Sequence, residues 1–157
     1  MSTKINELSV VNADEFTVSR TITIAAPIEK VWAAVTEPQH IARWFPEHAT
    51  LAPLAVGATG VFGWSDHGDF PVRVEELDPP HMIAYRWGNS NATASTLESG
   101  ETTVFRFTLE PVDAGTQLTV VESGFDALRD PAASMDSNRG GWNFELDELV
   151  AYLEGSE

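Results

Sequence analysis

Ala26-Pro27-Ile28-Glu29-Lys30-Val31-Trp32, with Trp44-Phe45 close behind and Gly140-Gly141-Trp142 near the far end of the chain, frame everything that lies between them. Pro27 stands where the first turn of a helix tolerates a missing N–H. Ile28, Val31, Trp32 and Val35 then recur at helical spacing, which predicts a short helix to about Thr36. Pro38 breaks it and starts a second short helix through Ile41, ending near Trp44-Phe45-Pro46. From Trp142 onward the apolar residues Trp142, Leu146, Leu149, Val150 and Leu153 form one stripe, while Glu145, Asp147, Glu148 and Glu154 lie elsewhere and Gly155 ends the run. Asp130-Pro131 offers a cap and a first turn upstream, and Gly140-Gly141 is a place where such a helix could loosen or restart.

Between these helical stretches the pattern is that of strands. Phe16, Val18, Arg20, Ile22 and Ile24 share one face and Thr17, Ser19, Thr21 and Thr23 the other, as in a half-buried strand. Further strand candidates lie near 48–53, 59–65, 70–77, 81–88, 102–110 and 116–123. They are separated by Gly57 to Gly60, His67-Gly68, Asp78-Pro79-Pro80 and Asp113-Ala114-Gly115, all turn chemistry. Short consecutive strands with this punctuation predict an antiparallel meander. Residues 1–13 carry no clear period and read as a loose lead-in, and the polar stretch Gly88 to Glu101 reads as a mobile connection. With no internal repeat and no linker, residues 1–157 are expected to form one domain with its core at about 16–154.

Composition excludes several function classes. The chain is 43% hydrophobic with five Trp and eight Phe, far too apolar to stay disordered. Nine Lys and Arg stand against 24 Asp and Glu, a formal charge of -15 that repels phosphate backbones and anionic headgroups, so neither nucleic acid nor a membrane surface is expected as a partner. The absence of Cys removes disulfides, thiolate zinc sites and cysteine nucleophiles. No apolar signal region opens the sequence and no window is long enough to span a bilayer, from which a cytoplasmic location is expected. Asn91-Ala92-Thr93 matches the glycosylation sequon, which without a secretion signal reads as a chance match.

Taken in order, these motifs resemble a known family. Ile24-Ala25-Ala26-Pro27-Ile28-Glu29-Lys30-Val31-Trp32 followed by Ile41-Ala42-Arg43-Trp44-Phe45 is similar to the opening of bacterial proteins related to the activator of Hsp90 ATPase, within the START-like or Bet v 1-like superfamily. Val74-Glu75-Glu76-Leu77-Asp78-Pro79-Pro80 leading to Tyr85-Arg86-Trp87 agrees with that pattern. So do the strand from Thr116 to Phe125 and Gly141-Trp142 before the last helix. The resemblance runs from about Phe16 to Glu154. It implies an α+β helix-grip fold, in which a curved seven-stranded antiparallel sheet grips a long C-terminal helix and two short helices follow the first strand. It implies a fold more strongly than a chemistry, because functions in the superfamily range over ligand carriage, polyketide cyclisation and co-chaperone binding.

In such a fold, strand parity turns Ile22, Ile24, Ile83, Tyr85, Trp87, Phe105, Phe107, Leu118 and Val120 toward the long helix. Glu122 shares that face, and a carboxylate in an aromatic interior must pair, hydrogen-bond or hold a proton, which makes it the leading polar cavity residue. Arg20 has the parity of Ile22, so an Arg20 to Glu122 pair is conceivable, either as an edge salt bridge or as a ligand-reading pair. Trp44, Trp64, Trp87 and Trp142 are candidate walls for an apolar or aromatic ligand, with core packing as the competing reading for each. Phe144 falls off the helix stripe and either reaches a cavity mouth or is exposed. Ser65-Asp66-His67-Gly68-Asp69 sets a His among carboxylates, but neighbours on one turn cannot converge on a metal, and no phosphate loop, dinucleotide fingerprint or HExxH occurs. No metal and no cofactor are expected.

Three functions remain open at this point. The first is binding of a small hydrophobic or amphipathic molecule, with Trp44, Trp64, Tyr85, Trp87, Phe105, Phe107, Trp142, Glu122 and Arg20 around it. The second is a cyclase- or hydratase-type enzyme with Glu122 as general base, disfavoured by the lack of a second catalytic group. The third is an Hsp90-type chaperone partner, for which a lone domain of charge -15 gives little support. A homodimer through edge strands or aromatics such as Phe62 and Phe70 is also open.

Overall fold

The computed structural model describes residues 6–66, 68–88 and 102–155. The sequon at Asn91 and most of the Gly88 to Glu101 connection lie outside the described residues, as does His67. Among the described residues, one open antiparallel sheet of eight strands has the order β1-β2-β8-β7-β6-β5-β4-β3. Its strands are β1 (Val10–Asn12), β2 (Thr17–Ile24), β3 (His48–Leu51), β4 (Thr59–Trp64), β5 (Gly68–Asp78), β6 (Met82–Trp87), β7 (Thr103–Val112) and β8 (Gly115–Ser123). Helices α1 (Ile28–Thr36) and α2 (Pro38–Trp44) connect β2 to β3. A 3-10 turn (Phe125–Ala127) precedes the long α3 (Pro131–Leu153). This is the helix-grip architecture with one more strand than expected.

The additional strand is β1, which pairs Val10 with Ser19 and Asn12 with Thr17 at the sheet edge. The lead-in is therefore not loose over its described part. Ser9 N–H donates to Asn143 Oδ1 at 2.7 Å, and the N–H of Thr23 donates to Asn6 Oδ1 at 2.9 Å. These are side-chain bonds to backbone over long sequence separations, so hydrophobic periodicity carries no trace of them.

Alternation predicts the rest of the sheet well. Val18, Ile22 and Ile24 on β2, Phe105, Phe107 and Leu109 on β7, and Leu118 and Val120 on β8 are all buried under α3 or the short helices. A bulge between Val74 and Glu76 shifts the β5–β6 register, a device that bends a strand and deepens sheet curvature. The first helix ends on carbonyls that two aromatic residues satisfy: Trp44 Nε1 donates to Ala34 O at 2.8 Å, and the Tyr85 hydroxyl donates to Val35 O at 2.6 Å.

Asp130 caps α3 by accepting from the N–H of Ala133 at 3.2 Å, and Pro131 occupies the first turn. The helix continues unbroken through Gly140-Gly141, because Met135 on one side and Trp142, Leu146 and Leu149 on the other anchor it to the core. Gly155, at φ 73°, follows its end. No helix among the described residues is long and apolar enough to cross a membrane.

Candidate functional site

Aromatic rings fill the middle of the molecule. Phe45, just past α2, lies at its centre, with ring centroids 5.0 Å from Trp44, 5.5 Å from Trp142 and 5.6 Å from both Phe62 and Trp64. Toward one end of the sheet this packing stops and leaves a cavity of about 760 Å³. Its strand wall is made by Trp64 closing β4, Phe70 on β5, Trp87 closing β6 and Thr103 opening β7. The register Trp64↔Gly68, Val72↔Trp87 and Trp87↔Thr103 brings these four side chains to the same sheet end. Leu128 and Arg129, just before α3, line it as well, and a recess of about 90 Å³ between Phe45 and Trp142 shares Trp64, Trp87, Asn138 and Glu145 with it.

The opposite wall is one edge of α3. Ser134, Asn138, Gly141 and Glu145, spaced four, three and four residues apart, run down the flank of the apolar stripe and line one or both of these spaces. Glu145 makes no hydrogen bond or ion pair among the described residues. Burial, and secondarily the charge of Glu148, push its carboxyl up to about 8. In the sequence alone Glu145 is only a charge off the apolar stripe. The signal that could have found it is this second, small-and-polar stripe beside the apolar one.

Glu122 lies behind the cavity wall, fully buried. Oε1 accepts from Trp142 Nε1 at 2.9 Å and from Asn138 Nδ2 at 3.0 Å, and Oε2 accepts from Trp87 Nε1 at 3.1 Å and from the Thr103 hydroxyl. Four donors thus surround one carboxylate, so no lone pair is left wanting despite complete burial. The donors line the cavity or its recess and the acceptor does not.

The other candidates divide clearly. Trp64 and Trp87 line the cavity and, with Trp142, its recess. Trp44, Tyr85, Phe105 and Phe107 are core, at most 3% exposed, and the first two spend their polar atoms on α1. Burial pushes the Tyr85 phenol up. Arg20 does not meet Glu122. It pairs with Asp147 at 2.8 Å and donates to the carbonyls of Glu7, Trp142 and Asn143, because β2 register sets it against Val120 and sets Val18 against Glu122. Phe144 is 62% exposed and stands at the cavity mouth. Phe62 is core rather than a surface aromatic, and Phe70 lines the cavity.

Residues 25–154 match the family described as Activator of Hsp90 ATPase homolog 1-like protein. The chain belongs to that family. Among solved structures, protein MLL2253 from Mesorhizobium loti is 26% identical over 90% of this chain and 98% of its own, with a TM-score of 0.76. DynU16, from the dynemicin biosynthetic locus, is 27% identical over 90% of this chain, with a TM-score of 0.75. This match spans only 48% of DynU16. The Aha1 dimer from Colwellia psychrerythraea, 23% identical over 88% of this chain and 96% of its own, with a TM-score of 0.70, shares the fold. No functionally curated protein matches the chain. Activator-of-Hsp90-ATPase-like domains thus have here a member whose helix grip leaves an open-mouthed cavity at one sheet end.

Proposed function

We propose that this protein binds a small molecule with an apolar, ring-bearing body in the cavity between α3 and the ends of β4 to β7. The observation that carries the reading is the cavity of about 760 Å³ walled by Trp64, Phe70, Trp87 and Leu128, with Thr103, Asn138 and Glu145 as placed polar groups. A mainly apolar, open-mouthed cleft of this size with polar groups along one wall is a usual form of a small-molecule site. Rings recognise rings at low entropic cost because indole and phenyl side chains have few torsions to freeze. Glu122 acts as a positioning residue, holding Trp87, Thr103, Asn138 and Trp142 in the orientations that shape the wall. The cyclase or hydratase reading rested on Glu122 as a base, and a fully buried carboxylate with four donors has no reach into the cavity, which favours binding over catalysis.

The neutral fluorophore N-phenyl-1-naphthylamine tests this. Saturable binding with quenching of tryptophan emission is expected, and Ala133→Trp, an exposed position on the cavity wall, should abolish it while the fold is retained. Binding that survives Ala133→Trp, or no saturable binding, would overturn the assignment.

A further inference from the structure

Resting on that reading, we propose that the cavity selects ligands carrying a cationic amine, with the ammonium group seated against the Glu145 carboxyl and the ring faces of Trp64 and Trp87. The argument starts from an asymmetry between two carboxyl groups. Glu122 has four donors, whereas Glu145, half-buried and shared by the cavity and its recess, has none among the described residues. A carboxyl left in aromatic surroundings without a partner is completed by a proton or by a counter-charge from outside.

What surrounds Glu145 favours a positive counter-charge. Trp64 and Trp87 share both spaces with it, and indole faces attract cations through their quadrupole. Asn138 commits its NH₂ to Glu122, so its carbonyl oxygen is the free end of a cavity-lining side chain and a second acceptor for an N⁺–H donor. The charged groups around the site are Glu148 on the same helix, Asp130 and Arg129 at the rim, and Glu122 on β8 with its oxygens already occupied. β4, β5, β6 and β7 bring no titratable side chain to the lining, and α2 is followed there by Phe45. Among the described residues around the site, acidic groups outnumber the one basic group, Arg129, and the chain as a whole carries -15, so an anionic ligand enters against the field and a cation with it.

A proton linkage follows. In the empty protein the Glu145 carboxyl ionises near 8, so at pH 7 an ammonium must displace its proton, and affinity should rise from pH 6 to pH 8 before levelling. A neutral ligand that accepts a hydrogen bond from the protonated carboxyl would show the opposite trend.

The experiment uses three probes with one body: 1-pyrenemethylamine, 1-pyrenemethanol and 1-pyrenecarboxylate, followed by energy transfer from tryptophan. At pH 8 the amine should bind about tenfold more tightly than the alcohol, and the carboxylate most weakly. Glu145→Gln should bring the amine down to the affinity of the alcohol and flatten its pH dependence. Calorimetry of the unaltered protein at pH 7 in two buffers of different ionisation enthalpy should register release of close to one proton with the amine and none with the alcohol. An alcohol that binds as well as the amine, or an amine that binds without proton release, overturns this inference and leaves the cavity reading standing. Failure of all three probes, together with N-phenyl-1-naphthylamine, overturns both.

Discussion

The indole N–H of Trp142, on α3, donates to Oε1 of Glu122, on β8, at 2.9 Å, with neither residue more than 3% exposed. Helix and sheet, which also meet through apolar packing and the Arg20 contacts to Trp142, Asn143 and Asp147, are fastened at this point by a directional bond inside the core. The same carboxylate gathers Asn138 from the helix and Trp87 and Thr103 from two strands, so one buried group sets the geometry of the cavity wall from both sides.

Replacing that carboxylate should show its structural weight. In Glu122→Gln an NH₂ donor faces groups that are themselves donors, which leaves buried polar atoms unpaired at a cost of about 1–3 kcal/mol. Urea denaturation should report a loss in this range with an unchanged m-value, and tryptophan emission should shift as Trp87 and Trp142 lose their acceptor. An effect below about 0.5 kcal/mol would mean that the four bonds do not order the wall.

Arg20 and Asp147 should respond unequally, although they form one ion pair at 2.8 Å. Arg20 is buried and also serves three backbone carbonyls, so Arg20→Met strands several acceptors and should cost about 2–4 kcal/mol. Asp147, with its side chain 63% exposed, is replaced by water, and Asp147→Asn should cost at most about 1 kcal/mol. Thermal melts of the two variants side by side decide the matter, and equal losses would contradict this division.

The paired glycines of α3 can be separated by what lies beside them. A Cβ at either Gly140 or Gly141 meets nothing within 4 Å, so each Gly→Ala should stabilise the helix by about 0.5–1 kcal/mol, or about 1–4 °C in Tm. Only Gly141 lines the recess. Gly141→Leu should therefore weaken N-phenyl-1-naphthylamine binding, whereas Gly140→Leu should leave it unchanged. The same loss from both would argue against the recess as part of the site.

Glu145 gives a pH signature in stability as well as in binding. Its carboxyl ionises near 4.5 in an unfolded chain and near 8 in the folded one, so between these values the native state holds the extra proton. Raising the pH through that window removes stability, which then levels off above about 8. Because other titrating groups are common to both proteins, the difference in Tm between Glu145→Gln and the parent should grow from pH 5 to pH 8 in favour of the variant. A flat difference would place the carboxyl in a wetter setting than the fold indicates.

Much of this architecture is legible before any coordinates. Period-2 alternation marks β2, β7 and β8, Pro27 and Pro38 mark the two short helices, and the stripe from Trp142 to Leu153 marks the last helix, each being a local signal of burial on one face. β1 escapes such reading because three residues are too few for a period and its anchors, Asn6 and Ser9, act through single hydrogen bonds to distant residues. The candidate site was legible in part. Trp64, Trp87 and Trp142 were identified and line the cavity or its recess, while Phe105 and Phe107 share their parity and are core. Parity tells which face a side chain takes. It does not tell where along the strand the packing ends.

Local spacing and counts of residues carry the order of elements from β2 to α3, the inward faces of the strands and the acidic character of the chain. Only the assembled fold makes Glu122 a hub with four donors, turns Arg20 to Asp147, and sets Glu145 unpartnered among the described residues beside the cavity. Those outcomes depend on which strand ends, helix turns and aromatic rings arrive at the same point, and in a closely packed interior a displacement of one residue in register exchanges a satisfied carboxylate for an unpartnered one.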